Sequence, residues 1–189
     1  MGESEIITQK KAELLIKEMK DFIVSVGWTH KIQITQSELY EKSANKMRIV
    51  KTISASLTSA GLASLILRVF PDHENISLFT TFVLSLLSIF TESFEKDKDF
   101  NKLSANSRAI AGQFWELRVD CESLLYKLKA GEDIKLIQND FKKIKVLRKT
   151  LARDLPNATA KAVSIASDKL KKNKDNNYTN DYKLFNLED

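Results

Sequence analysis

Along the N-terminal quarter of the chain, apolar side chains recur with the period of a helix. Leu15, Met19, Phe22 and Val26 follow one another at spacings of four, three and four, which predicts one apolar stripe on a helix from about Gln9 to Val26. Gly27 is expected to interrupt it. Trp28 to Lys51 should then resume as a polar helix whose sparse apolar positions are Ile32, Leu39, Met47 and Val50. Farther on, Ile110, Phe114, Leu117, Cys121, Leu124 and Leu128 form a 4-3-4-3-4 series, the seam of a helix that packs against another helix. Ala130-Gly131 ends it. Ile134, Ile137, Phe141, Ile144 and Leu151 keep a similar frame, with Arg148 at one seam position, so the two segments are predicted to fold back as an antiparallel helical hairpin. A last helix is expected to start at Pro156-Asn157, with Pro156 at or near its first turn and Ala158, Ala162 and Ile165 on one face. The polar, aperiodic end of the chain, 175–189, reads as a flexible tail, with Leu184, Phe185 and Leu187 as an alternative docking peptide.

The middle of the chain follows a different rule. Thr52 to Leu67 and Asn75 to Thr91 contain no Lys, Arg, Asp or Glu, and only Arg68 to Glu74 separates them. Counting Arg68, whose guanidinium can snorkel to the headgroups, the first run extends through Phe70 to 19 residues, and the second has 17. Helices of that length measure roughly 26–28 Å against a hydrocarbon core of roughly 30 Å, so each can span with little tilt. Pro71-Asp72 supplies the turn. The predicted organisation is N-terminal helices over 1–51, a transmembrane hairpin over 52–91, a helical bundle over 92–174 and the tail. A soluble alternative stays open, in which neighbouring subunits of an α-helical oligomer bury the two uncharged helices.

Composition supports an all-α fold. The 189 residues include only 5 Gly and 2 Pro, few breakers for a chain rich in Leu, Ile, Lys and Glu. The first 21 residues carry charges throughout and no apolar h-region, so no cleavable signal peptide is expected and the hairpin should insert as an internal element. Lys42, Lys46, Arg48 and Lys51 precede the hairpin and Lys96, Lys98, Lys102 and Arg108 follow it, whereas its loop has Arg68 with Asp72 and Glu74. The positive-inside bias places both ends in the cytoplasm.

Charge is unevenly distributed. From Lys142 to Lys174 eleven basic residues stand against two acidic ones, a net +9 that leaves −4 for the rest of a chain whose total is +5. Lys142, Lys143, Lys145, Arg148 and Lys149 are the candidate polyanion-binding residues, and the ligand would be a nucleotide, a nucleic acid or anionic lipid headgroups. The bland reading is the solvated face of a bundle. No aromatic residues interleave to stack bases.

Catalytic patterns are missing: no Gly-rich phosphate loop, no Gly-x-Ser-x-Gly, no His-Glu-x-x-His and no zinc spacing occurs. No enzyme activity and no cofactor are expected, and one cysteine, Cys121, excludes an intrachain disulfide. His30 reads as an interhelical or surface hydrogen bonder and Cys121 as a small buried hydrophobe on its seam. Small residues in the uncharged runs are candidate membrane helix contacts. Ala55, Ser59 and Ala63 lie four apart, Ala60 belongs to a second such face, and Ser77, Thr81, Ser85 and Ser88 make a hydroxyl stripe.

Trp28-Thr-His-Lys31, the paired apolar runs with their very short loop, Arg108 to Arg118 with Phe114-Trp115, and Pro156-Asn-Ala158 give the chain a recognisable order of parts from about Leu14 to Leu170. In this it resembles the SLATT family, two-transmembrane effectors associated with SMODS nucleotidyltransferases and SLOG sensor domains. The resemblance implies a bacterial antiphage effector at the inner membrane, silent until a partner senses infection, that oligomerises or is released to disrupt the membrane and arrest the cell. Its implied partners are membrane lipids, further copies of itself, and a sensor: a nucleotidyltransferase acting through a cyclic nucleotide messenger, or a reverse transcriptase with nucleic acid. The family transfers no catalytic residues. The alternative function is a soluble oligomeric scaffold that binds nucleic acid or a nucleoprotein enzyme, such as a reverse transcriptase, through the basic bundle.

Overall fold

The computed structural model describes residues 3–59, 79, 82, 83, 85–90, 92, 93 and 99–172, and among them every regular element is an α-helix. Four helices have defined bounds: α1 (Glu3–Ser59), α2 (Phe100–Lys129), α3 (Ile134–Leu151) and α4 (Ala160–Lys171). The described residues from 79 to 93 are helical as well. The chain divides into two compact units, one of Met1–Ser37 with Asn106–Asp189 and one of Glu38–Ala105. The predicted hairpin falls mainly on residues 60–78, 80, 81, 84 and 91, and the predicted tail wholly on 173–189, outside the described residues.

The first unit is a four-helix bundle built on the two predicted stripes. All four residues of the α1 stripe and all six of the α2 seam are buried, and Ile137 and Phe141 of α3 complete the same cluster. Phe22 and Phe141 meet edge to face, ring centroids 5.4 Å apart at 81°, a contact worth about 0.5–1.5 kcal/mol beyond its buried area. Pairings fix the directions. His30 meets Ala111 and Met19 meets Cys121, so α2 runs antiparallel to α1. Glu18 meets Lys145 and Ser25 meets Arg148, so α3 runs parallel to α1. Gln36 meets Thr159 while Trp28 meets Lys171, so α4 is antiparallel again. The order is up, down, up, down.

The turn between α2 and α3 is tight because its residues suit it. Gly131 takes φ +91°, its N–H donates to Leu128 O at 3.2 Å and the Glu132 N–H donates to Lys127 O at 3.2 Å, the paired bonds of a Schellman ending. Asp133 then caps α3 by accepting from the Lys135 N–H at 2.9 Å.

Two expectations are corrected. Helix α1 passes through Gly27 without interruption, because one interior glycine costs only about 1 kcal/mol and buried contacts hold the helix on both sides of it. The last helix begins at Ala160, not around Pro156, since Thr159 is its N-cap and accepts from the Ala162 N–H at 3.2 Å. Pro156 lies in the connection, where its carbonyl accepts from Gln33 Nε2 at 3.1 Å.

Two glycine substitutions should move stability in opposite directions. A Cβ added at Gly27 would stand 3.9 Å from Arg118 Nη1, an ordinary contact, so Gly27→Ala should raise bundle stability by about 0.5–1 kcal/mol. Gly131→Ala forces a Cβ into the left-handed region and should lower stability by about 1 kcal/mol. Chemical denaturation followed by circular dichroism measures both.

Candidate functional site

Parts of the unit spanning Glu38–Ala105 expose large apolar side chains that the bundle would bury. In α1, Ser54 is 1 % exposed while Ile49 and Ile53 are 57 % and 54 % exposed. The described helical residues from 79 to 90 repeat the arrangement: Phe82, Leu86, Ile89 and Phe90 are at least half exposed, whereas Ser85 and Ser88 are half-buried. In the described part of the second run the large apolar side chains are exposed, while the hydroxyls of the unit divide: Ser54, Ser85 and Ser88 are buried or half-buried and Thr52 and Ser56 are exposed. Water disfavours this apolar exposure, whereas an apolar surrounding favours it. Among the described residues no helix is long and apolar enough to cross a membrane.

Of the proposed small-residue contacts, Ala55 is exposed on α1 and Ser59 is the last residue of that helix. Ser85 and Ser88 lie on the half-buried side just described. Ala60, Ala63, Ser77 and Thr81 fall outside the described residues.

The five cationic candidates separate into two sets because α3 has an inner and an outer face. Lys145 turns toward α1: its Nζ donates to Glu18 Oε1 at 2.7 Å and sits 4.9 Å from the Phe141 ring centroid. Arg148, at its seam position, lies 5.4 Å over the Phe22 ring and donates to Ser25 Oγ at 2.7 Å. Arg148 is half-buried in the bundle, whereas the Lys145–Glu18 pair lies exposed at its edge. Lys142, Lys143 and Lys149 point outward and are exposed, Lys143 pairing with Asp140 at 2.7 Å. Lys142 and Lys143 line a shallow depression of about 450 Å³ with Asn139, Val146, Leu147 and Thr150.

The middle of α1 carries a polar group that the apolar spacing did not reveal. The segment read as a polar helix with sparse apolar positions buries polar side chains instead: Gln33, Thr35, Gln36 and Ser37 are each at most 2 % exposed. Gln33 holds the Pro156 carbonyl. Gln36 Oε1 accepts from the Thr159 N–H at 2.8 Å and the Thr159 hydroxyl at 2.9 Å. Together these clamp the connection between α3 and α4. The only advance signal was the local density of Gln and Thr beside a later Pro and Thr, which has no period.

His30 joins α1 to α2 by donating from Nδ1–H to the Ala111 carbonyl at 2.8 Å, and its ring packs 5.2 Å from Trp115. Burial holds its pKa below the ordinary 6.5, opposed by the Ala111 carbonyl and reinforced by Lys31 and Arg118. Arg118 stacks 5.1 Å over Trp115 and pairs with Glu122 at 2.8 Å. The Cys121 thiol is fully buried and pushed up to about 12, first by burial and then by Glu122, so it is packing and not a nucleophile.

The sequence model of the SMODS and SLOG-associating 2TM effector domain family 4 matches residues 15–181, a span that holds most of α1, the other three helices and both uncharged runs. No curated protein and no solved structure matches the chain.

Gln36→Ala leaves the Thr159 N–H and hydroxyl without their acceptor and should cost about 1–3 kcal/mol, with amide exchange accelerated in the first turn of α4. His30 sets a pH dependence. The unfolded chain takes up a proton near pH 6.5 while the folded one resists it, so stability is full above that value and falls as the pH drops below it. Denaturation from pH 7.5 to 5 should show this decline, and a His30→Gln variant should flatten it.

Proposed function

The chain belongs to the SMODS and SLOG-associating 2TM effector domain family 4, and we propose that it is a membrane-anchored antiphage effector. The two uncharged runs, 52–67 and 75–91, form the membrane hairpin, and the bundle stands with both chain ends on the cytoplasmic side of the bacterial inner membrane. Activation by a sensor partner or a nucleotide signal leads to oligomerisation or release, disruption of the membrane and arrest of the infected cell.

One observation supports this reading above the others: the exposure of the large apolar side chains in the described part of the second run. Exposed Phe82, Val83, Leu86 and Phe90 surround half-buried Ser85 and Ser88, and the side chains that pack favourably against lipid are the ones available to it. Membership of an effector family, with cations flanking both ends of the hairpin, gives that surface a setting.

Val83 is exposed and near the centre of the second run. On a water-facing helix Val83→Arg would change stability within about 0.5 kcal/mol. At a bilayer centre it costs on the order of 2.5–3.5 kcal/mol of insertion. The expected result is that the wild-type chain stays with membranes through an alkaline wash and arrests growth when triggered, while Val83→Arg loses both. Retention of both by the variant, or release of the wild type by the wash, leaves the soluble scaffold as the reading.

A further inference from the structure

Helix α3 presents a second apolar surface opposite the one that enters the core. Leu136, Val146 and Leu147 are 62 %, 61 % and 51 % exposed, and exposed Lys142, Lys143 and Lys149 lie among and beside them. Ile137, Phe141 and Ile144 are directed into the bundle, so the outer side chains serve no packing within it. Val146 and Leu147 stand together with Lys142 and Lys143 around one depression, which puts apolar and cationic groups on a single surface.

We propose that this outer face of α3 docks on an anionic lipid bilayer, the lysines taking headgroup phosphates and Leu136, Val146 and Leu147 entering the boundary between headgroups and acyl chains. The ligand must combine anions with an apolar layer, because the face offers both. A second copy of the same face would bring lysines against lysines, which charge repulsion opposes. Nucleic acid would use the lysines, but it would leave the aliphatic side chains idle and would find no exposed aromatic ring on α3 to stack a base. Lysine stems beside apolar residues are also the usual composition of a helix lying in a membrane interface. Lys143 already holds the exposed Asp140 carboxylate at 2.7 Å, a pair weak enough to exchange for a phosphate. The inference rests on the membrane reading above only for bringing the bundle close to a bilayer, where tethering raises its effective concentration.

The test uses the full chain carrying Thr150→Cys, a position lining the outer depression, labelled with an environment-sensitive fluorophore. Cys121 is fully buried and stays unlabelled. The protein is reconstituted in vesicles of phosphatidylcholine alone or of phosphatidylcholine with one quarter phosphatidylglycerol, each with a spin-labelled lipid as quencher. Quenching is expected with the anionic lipid and not with the neutral one. Each lysine removed in Lys142→Gln and Lys143→Gln should lower the docked-to-free ratio roughly fivefold, and a Val146→Ser, Leu147→Ser double variant should also undock the face. Equal quenching in both lipids, or no effect of the lysine variants, overturns the proposal. So does a result in which the lysine variants weaken binding of a single-stranded oligonucleotide, the serine variant binds it normally, and the probe remains unquenched by lipid. Alkaline washing of the same vesicles separates the two readings. A chain that resists the wash but is not quenched keeps its anchor and loses this docking face, and a chain that washes off but is quenched by added anionic vesicles keeps the face and loses the anchor.

Discussion

Burial of a single seam on α2 organises the bundle. Six residues at 4-3-4-3-4 spacing leave α2 with a continuous apolar edge that must be covered along its whole length, and one neighbouring helix is too narrow to cover it. Helix α1 supplies Leu15, Met19, Phe22 and Val26, and α3 supplies Ile137 and Phe141. Phe22 and Phe141 meet where these two covering helices touch. Once that corner is closed, the polar interactions have fixed addresses. Arg148 lands over Phe22, Lys145 reaches Glu18, and His30 finds the Ala111 carbonyl.

The two units differ in where parts of the same element type place their large apolar side chains. In the bundle a buried Leu or Phe gains from leaving water, and the polar groups that are buried must find partners, as Gln36 does in Thr159. In the unit of Glu38–Ala105 it is Ser54 that is buried and Ile53 that is exposed. Helices α1 and α2 each contribute residues to both units, so a single helix changes its burial rule along its length. A family defined as two-transmembrane effector domains is where such a change is expected.

Periodic signals in the sequence were legible and solitary ones were not. Every residue of the α1 stripe and the α2 seam is in the core, since a helix facing one neighbour repeats its apolar positions whatever else surrounds it. Arg148, read as a cation in a seam position, does lie against the core ring of Phe22. Burial of Gln33 and Gln36 is not written in the local sequence, because each amide depends on a partner more than a hundred positions away, which no local spacing encodes. Gly27 and Pro156 are local signals that tertiary contacts override: buried contacts carry α1 past the glycine, and Thr159, held by Gln36 and accepting from the Ala162 N–H, sets the start of α4. The basic run is visible as charge, but its partition into half-buried Arg148, edge Lys145 paired with Glu18, and outward Lys142, Lys143 and Lys149 depends on how α3 is rotated in the bundle.

The pairing of Met19 with Cys121 spans 102 residues, and this has a consequence for the order of events during synthesis. At about 5–20 residues per second, roughly 5–20 s separate emergence of the α1 stripe from emergence of the seam that covers it. The two uncharged runs leave the ribosome within that interval. An insertion machinery would therefore meet them before the bundle has closed, while Leu15, Met19, Phe22 and Val26 are still waiting for cover. The bundle is thus the last part of the chain that can assemble, and its N-terminal stripe stays uncovered until both uncharged runs have been made.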